Sequence, residues 1–165
     1  MTSPIQDQRT LHQRVEAMLA GQWSDPPAAS VLIASKSGDP VEEALALTPH
    51  TVSTASTPQE AIRSITDTSP DVVIIDCSWE EDDIVSLRSS VQSSAPWAQV
   101  VAIVPSGVTP SPERLFAVIR AGAVDILRLP GDGGLIANRV VTALSYARTQ
   151  RQQQGQISEW RSVCQ

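Results

Sequence analysis

Lysine is almost missing from this chain: of its 12 basic residues in 165 positions only Lys36 is one, which closes any mechanism that needs a second lysine. Cysteine is nearly as scarce. Cys77 and Cys164 make neither a disulfide framework nor a zinc cluster, and read as reduced thiols of a cytosolic compartment. His12 and His50 lack ligand spacing to each other or to a cysteine, so no structural metal is implied. There is no basic excess either. A formal net charge of −6 excludes an extended face for phosphate backbones and would be repelled by an anionic membrane, which favours protein partners over nucleic acid. No stretch approaches the ~18 apolar residues of a membrane span, and residues 1–8 carry Gln and Asp where a signal peptide needs a positive start. The expectation is a cytoplasmic protein. What is present is ordinary: 41% hydrophobic and 18% charged residues, with 12 prolines and 8 glycines, describe a chain that folds. At this length it is one domain with helical arms.

Leu11, Val15, Met18, Leu19 and Trp23 form an apolar stripe at helical spacing, and Ser24-Asp25-Pro26-Pro27 stops it. From there strands and helices alternate. Val31-Leu32-Ile33-Ala34 is apolar throughout, as in a strand covered on both faces, and Gly38-Asp39-Pro40 turns it into a short helix over 41–47. The weaker run 50–54 predicts an edge strand. Thr57-Pro58-Gln59-Glu60 then opens a helix running to about Ile65, with an N-cap, a proline in the first turn and a Glu three residues on. Val72-Val73-Ile74-Ile75 ends in Asp76, and a helix with Ile84, Leu87 and Val91 on one side follows. A strand over 100–104, a helix from about Pro112 to Ala121, a strand over 124–127 and a helix from about Gly134 complete the series. Apolar strands each followed by a helix predict an α/β fold: a five-stranded parallel sheet with helices on both faces. In such sheets function gathers at the carboxyl ends of the strands, at Ser35, Lys36, Asp76, Val104 and the segment Arg128-Leu129-Pro130.

Two stretches carry a family likeness. Asp71-Val72-Val73-Ile74-Ile75-Asp76 resembles the third strand and phospho-acceptor of the receiver domains of bacterial response regulators. Arg120-Ala121-Gly122-Ala123-Val124-Asp125-Ile126-Leu127 resembles that family's fourth helix, Ala-Gly-Ala turn and fifth strand, and Pro130 matches the proline of its Lys-Pro pair. Ser35, Asp76, Val104 and Leu129 follow one another at 41, 28 and 25 residues, close to the family's spacing. The resemblance spans roughly residues 30–148 and implies a flavodoxin-like receiver fold in a two-component or phosphorelay system. It also implies an active constellation that this chain lacks. Ser35 and Lys36 stand for the acidic pair that holds Mg²⁺, Val104 for the hydroxyl, and Leu129 for the lysine, while Trp79-Glu80 replaces the usual Met-Pro and Ile84 the usual Gly. Only Asp76 matches.

One carboxylate against one ammonium is already neutral, so a phosphoryl group carrying about −1.5 to −2 would be poorly compensated at this site. The expectation is therefore a degenerate, pseudo-receiver module that acts by protein association, with Lys36 paired to Asp76. Two alternatives stay open: phosphorylation of Asp76 by a histidine kinase, and a small-ligand or nucleotide sensor in the strand-end crevice. No acid–base pair, nucleophile triad or metal cluster assembles at the strand ends, so no enzyme and no cofactor is expected, with Mg²⁺ entering only if Asp76 is phosphorylated. Bland readings apply elsewhere. Glu80, Glu81, Asp82 and Asp83 are a solvated helix start, Gly131-Asp132-Gly133-Gly134 is a plain loop, and Cys77 is a small packing residue. Three regions follow: a helix and linker over 1–27, the receiver-like domain over 28–148, and a helical connector or tail over 149–165. Ile157, Trp160 and Val163 recur in that last region. It would lead to an output domain or a partner copy, a homodimer through the terminal helices being one arrangement.

Overall fold

The computed structural model describes residues 29–36, 39–46 and 48–163, the last nine as backbone. The helix expected within 1–27 lies outside these residues, as does Leu47. Five parallel strands, β1 (Ser30–Ala34), β2 (Thr51–Ala55), β3 (Val72–Asp76), β4 (Gln99–Val104) and β5 (Ala123–Arg128), lie in the order β2-β1-β3-β4-β5. Between them run α1 (Asp39–Leu45), α2 (Pro58–Thr68), α3 (Glu81–Ser94) and α4 (Pro112–Arg120). After β5 a 3-10 turn, Gly133–Leu135, leads into α5 (Ile136–Val163). None of these helices is long and apolar enough to cross a membrane.

Strict alternation along apolar strands explains the layers. Leu32, Ala34, Val73, Ile75, Val100 and Ala102 face one side and are covered by α2, α3 and α4, whereas Val31, Ile33, Val72, Ile74, Val101 and Ile103 face the other and meet α1 and α5. A side chain on either side of a central strand is therefore buried, the reason these segments carry no polar alternation. The edges differ. β2 keeps its Thr and Ser residues half in solvent, and β5, at the other edge, leaves Val124 55% and Ile126 37% exposed. Nothing lies beyond β5 to cover them among the described residues, and Phe116 and Ile119 on neighbouring α4 are exposed with them.

Local chemistry sets the boundaries. Thr57 caps α2 by accepting from the Glu60 amide at 3.2 Å, with Pro58 in the first turn, while the Glu60 carboxylate reaches past the cap to the Ser56 amide at 3.1 Å. Ser111 and Pro112 repeat the device at α4. Gly122 takes the left-handed conformation, φ 92°, that the turn into β5 needs. α1 begins at Asp39 rather than at Val41, because a proline in the first helical turn costs no hydrogen bond there.

Candidate functional site

The sheet order reverses between β1 and β3, so the loops after these two strands diverge to opposite faces and open a crevice. Ser35 follows β1 and Asp76 ends β3, and the register places these strand ends side by side. The Ser35 hydroxyl donates to Asp76 Oδ2 at 2.7 Å, and the Ser78 amide donates to Oδ1 at 2.8 Å. Both carboxylate oxygens are thus held by neutral donors of the chain itself. Asp76 is 1% and Ser35 5% exposed, and burying polar groups is costly unless they are hydrogen-bonded in this way.

Lys36 departs from the expected arrangement. It is exposed, and no ion pair joins it to Asp76. The serine hydroxyl already satisfies the inner oxygen, and a strongly hydrated ammonium gains more from water than from a second place at a partnered carboxylate. The side chain instead stands where three crevices meet. One of about 190 Å³ is lined by Ser35, Asp39, Glu42, Thr54, Ser56 and Glu60. Another of about 130 Å³ lies among Pro58, Ser78, Trp79, Glu80 and Asp83. The largest, about 470 Å³, runs over the ends of β4 and β5 between Pro40, Pro105, Ser106, Leu129 and Pro130.

Val104 and Leu129 are turned into the core, 5% and 7% exposed, on opposite faces of the sheet. The Leu129 amide donates to the Val104 carbonyl at 2.9 Å, so the two positions are neighbours, as their spacing required. Neither can meet a phosphoryl oxygen with a hydroxyl or an ammonium. Among the described residues no group of three His, Cys, Asp or Glu side chains converges as a metal site. The residues at the Mg²⁺ position of the family, a hydroxyl and an exposed ammonium beside an already bonded carboxylate, do not fit that ion.

The loop after Asp76 is fastened by a residue that sequence spacing could not reveal. Arg114 on α4 donates to the Ser78 carbonyl and to Glu80 Oε1, both at 3.1 Å, across 36 and 34 residues of chain. Glu80 consequently makes no cap bond of its own at α3, whose first turn holds Glu81, Asp82 and Asp83 near the positive helix end. The neighbouring Trp79 is buried in the core, 4% exposed, and its indole N–H has no partner among the described residues. Asp132 closes the glycine-rich loop by accepting from the Arg128 amide at 2.8 Å, a structural task.

Cys77 is fully buried, and burial together with the adjacent Asp76 charge pushes its thiol up to about 11. The thiolate being the nucleophile, Cys77 is expected to resist iodoacetamide in the native protein at pH 8 and to react fully in denaturant. Peptide mapping after timed labelling checks this, and native labelling within minutes would contradict it.

No family model and no curated protein matches the sequence. Solved structures do match in shape. A response regulator from Thermotoga maritima is 21% identical with a TM-score of 0.61 over 72% of this chain and 98% of its own. A CheY-like response regulator receiver domain protein from Methanospirillum hungatei is 16% identical, with a TM-score of 0.63 over 74% and 98%. The receiver domain of NtrX from Brucella abortus is 24% identical, with a TM-score of 0.57 over 70% and 98%. Strand order, the aspartate ending β3 and these likenesses together give this chain the fold of a response-regulator receiver domain.

Proposed function

We propose that this chain is a receiver-fold signalling module that acts by binding other proteins, without a phosphoryl group on Asp76 and without Mg²⁺. One observation carries the reading: both oxygens of the buried Asp76 carboxylate are already engaged by Ser35 and Ser78. In-line phosphoryl transfer needs an accessible oxygen and cations beside the developing charge. Here the first requires breaking the serine bond, and the positions for the second hold Ser35, exposed Lys36, Val104 and Leu129. Protein association is supported by the apolar surface left open at the α4–β5 edge, since contiguous exposed apolar groups mark interaction sites. The module is not an enzyme in this reading and works in the cytoplasm. Its partner is a signalling protein such as a histidine kinase or an output domain.

Incubation with acetyl phosphate and Mg²⁺, followed by intact-mass measurement, tests it. The expected result is an unchanged mass over a time that saturates a conventional receiver. A labile gain of one phosphoryl group that disappears in Asp76→Asn would establish the rival, phosphorylatable reading.

A further inference from the structure

Of the three crevices that meet at Lys36, one has the size of a small-molecule site. The crevice over the ends of β4 and β5, about 470 Å³, falls within the roughly 300–1,000 Å³ typical of ligand pockets, whereas its neighbours of about 190 and 130 Å³ fall below that range. Its walls come from separate connections of the chain. Pro40 stands in the first turn of α1, Pro105 and Ser106 follow β4, and Leu129 and Pro130 follow β5. Leu129 shares one side of the sheet with Val41 and Leu45 of α1, and the crevice opens between these elements.

The wall chemistry is one-sided. A proline has no amide hydrogen and its ring fixes φ, so Pro40, Pro105 and Pro130 offer apolar surface without a backbone donor and hold that surface in place. Leu129, 7% exposed, completes it. Walls already fixed in this way cost little ordering when a ligand arrives. Polar recognition falls to Ser106, Lys36 and Asp39, all three exposed. Neither the Lys36 ammonium nor the Asp39 carboxylate is in an ion pair among the described residues.

One ammonium and one carboxylate at the same crevice sum to zero, and this selects the class of ligand. A bare anion gains Lys36 but faces the Asp39 charge, and a bare cation meets the reverse. A nucleotide brings several negative charges to a single ammonium beside a repelling carboxylate. A zwitterion with an apolar body complements both charges and the prolines together. We propose that this crevice binds a free α-amino acid with a large apolar side chain. Its carboxylate pairs with Lys36, its ammonium with Asp39, and its side chain lies against Pro40, Pro105, Leu129 and Pro130. Asp76 does not line the crevice, so binding leaves the Ser35–Asp76 bond in place. The site is therefore independent of any phosphoryl group on Asp76 and of the partner that the module binds.

Titration of the full chain with L-phenylalanine tests this, read by calorimetry and by amide shifts in isotope-labelled protein. The expected Kd is roughly 10 µM to 1 mM, the range for a ligand of about a dozen heavy atoms, with shifts at the Ser106 and Leu129 amides. Hydrocinnamate, which lacks the ammonium, and phenethylamine, which lacks the carboxylate, are each expected to bind at least about tenfold more weakly. Lys36→Gln and Asp39→Asn, both at exposed positions, are expected to weaken L-phenylalanine by a similar factor. Asp39→Asn should also bring hydrocinnamate to within about threefold of L-phenylalanine, because it removes the charge that rejects a bare anion. The proposal is overturned if neither L-phenylalanine nor L-leucine binds saturably at about 10 mM. It is overturned equally if hydrocinnamate binds the wild type as tightly as L-phenylalanine, or if neither substitution weakens binding, which would put the ligand elsewhere on the protein.

Discussion

Ser35→Asp is expected to destabilise the protein at pH 7 by roughly 3–4 kcal/mol, equivalent to two to three pH units of coupling between the introduced carboxylate and Asp76. In the wild type the Ser35 hydroxyl sits 2.7 Å from Asp76 Oδ2, with both residues buried. The substitution exchanges a donor for a second acceptor at that distance, and in a site with little water the pair holds both charges only at high cost. The linkage sign is definite. The pair titrates with one macroscopic value raised above that of an unfolded carboxyl, so the native state binds the extra proton first. Stability is therefore regained as pH falls from 7 through the raised value, and the deficit is gone near pH 4. Ser35→Ala differs in kind. It leaves one carboxylate oxygen short of a partner and costs about 1–3 kcal/mol with no such recovery. Urea unfolding of both variants between pH 4 and 8 distinguishes them. A Ser35→Asp protein as stable as wild type at pH 7 would mean that the Ser35–Asp76 contact is not the buried link on which the proposed function rests. Millimolar Mg²⁺ provides a second readout. If the substitution rebuilds a carboxylate pair able to hold the ion, the metal restores stability by mass action.

The arrangement of the sheet was legible because each β1, β3 and β4 residue answers to a single requirement, burial on one face or the other. Val72 through Ile75 have no polar member and admit no other reading. Asp76 was legible for the same reason, as the first charge after such a run. What its carboxylate binds was not. Ser35 and Lys36 are adjacent, and charge arithmetic favours the lysine, but β1 ends so that Ser35 points inward and Lys36 outward, a parity decided by where the strand stops. Arg114 was illegible for another reason. Its partners, Ser78 and Glu80, come from a different crossover and meet it only because α3 and α4 share a face of the sheet. The edge position of β5 was illegible too, because strand order is not written in a single strand's composition. Asp71 shares that difficulty: it accepts from the Ser30 amide and pairs with Arg151, joining β1, the α2–β3 loop and α5, which no local pattern links.

Trp79→Ala is expected to cost about 3–5 kcal/mol, the range for removing a large buried aromatic. Trp79 belongs to the apolar cluster beneath α2, α3 and α4 together with Cys77, Ile84 and Leu87, although it stands in the loop beside the acceptor position, where an exposed residue would be the ordinary guess. Its indole N–H is buried without a partner among the described residues, so part of what the ring contributes is offset by an unmet donor. Trp79→Phe removes that donor with most of the ring's volume kept, and is expected to cost under about 1.5 kcal/mol. The order of the two variants, rather than either value alone, identifies the ring as packing. The effect should also extend along the loop. The Trp79 amide donates to the Asp76 carbonyl at 3.3 Å, and the ring lies in the same cluster as Cys77, so the alanine variant is expected to open the Cys77 thiol to alkylation under conditions in which wild type and Trp79→Phe stay protected. Equal protection in all three, with Trp79→Ala unfolding within about 1 kcal/mol of wild type, would place the indole outside the core and leave the loop after Asp76 held by Arg114 and by its amide bonds to Asp76.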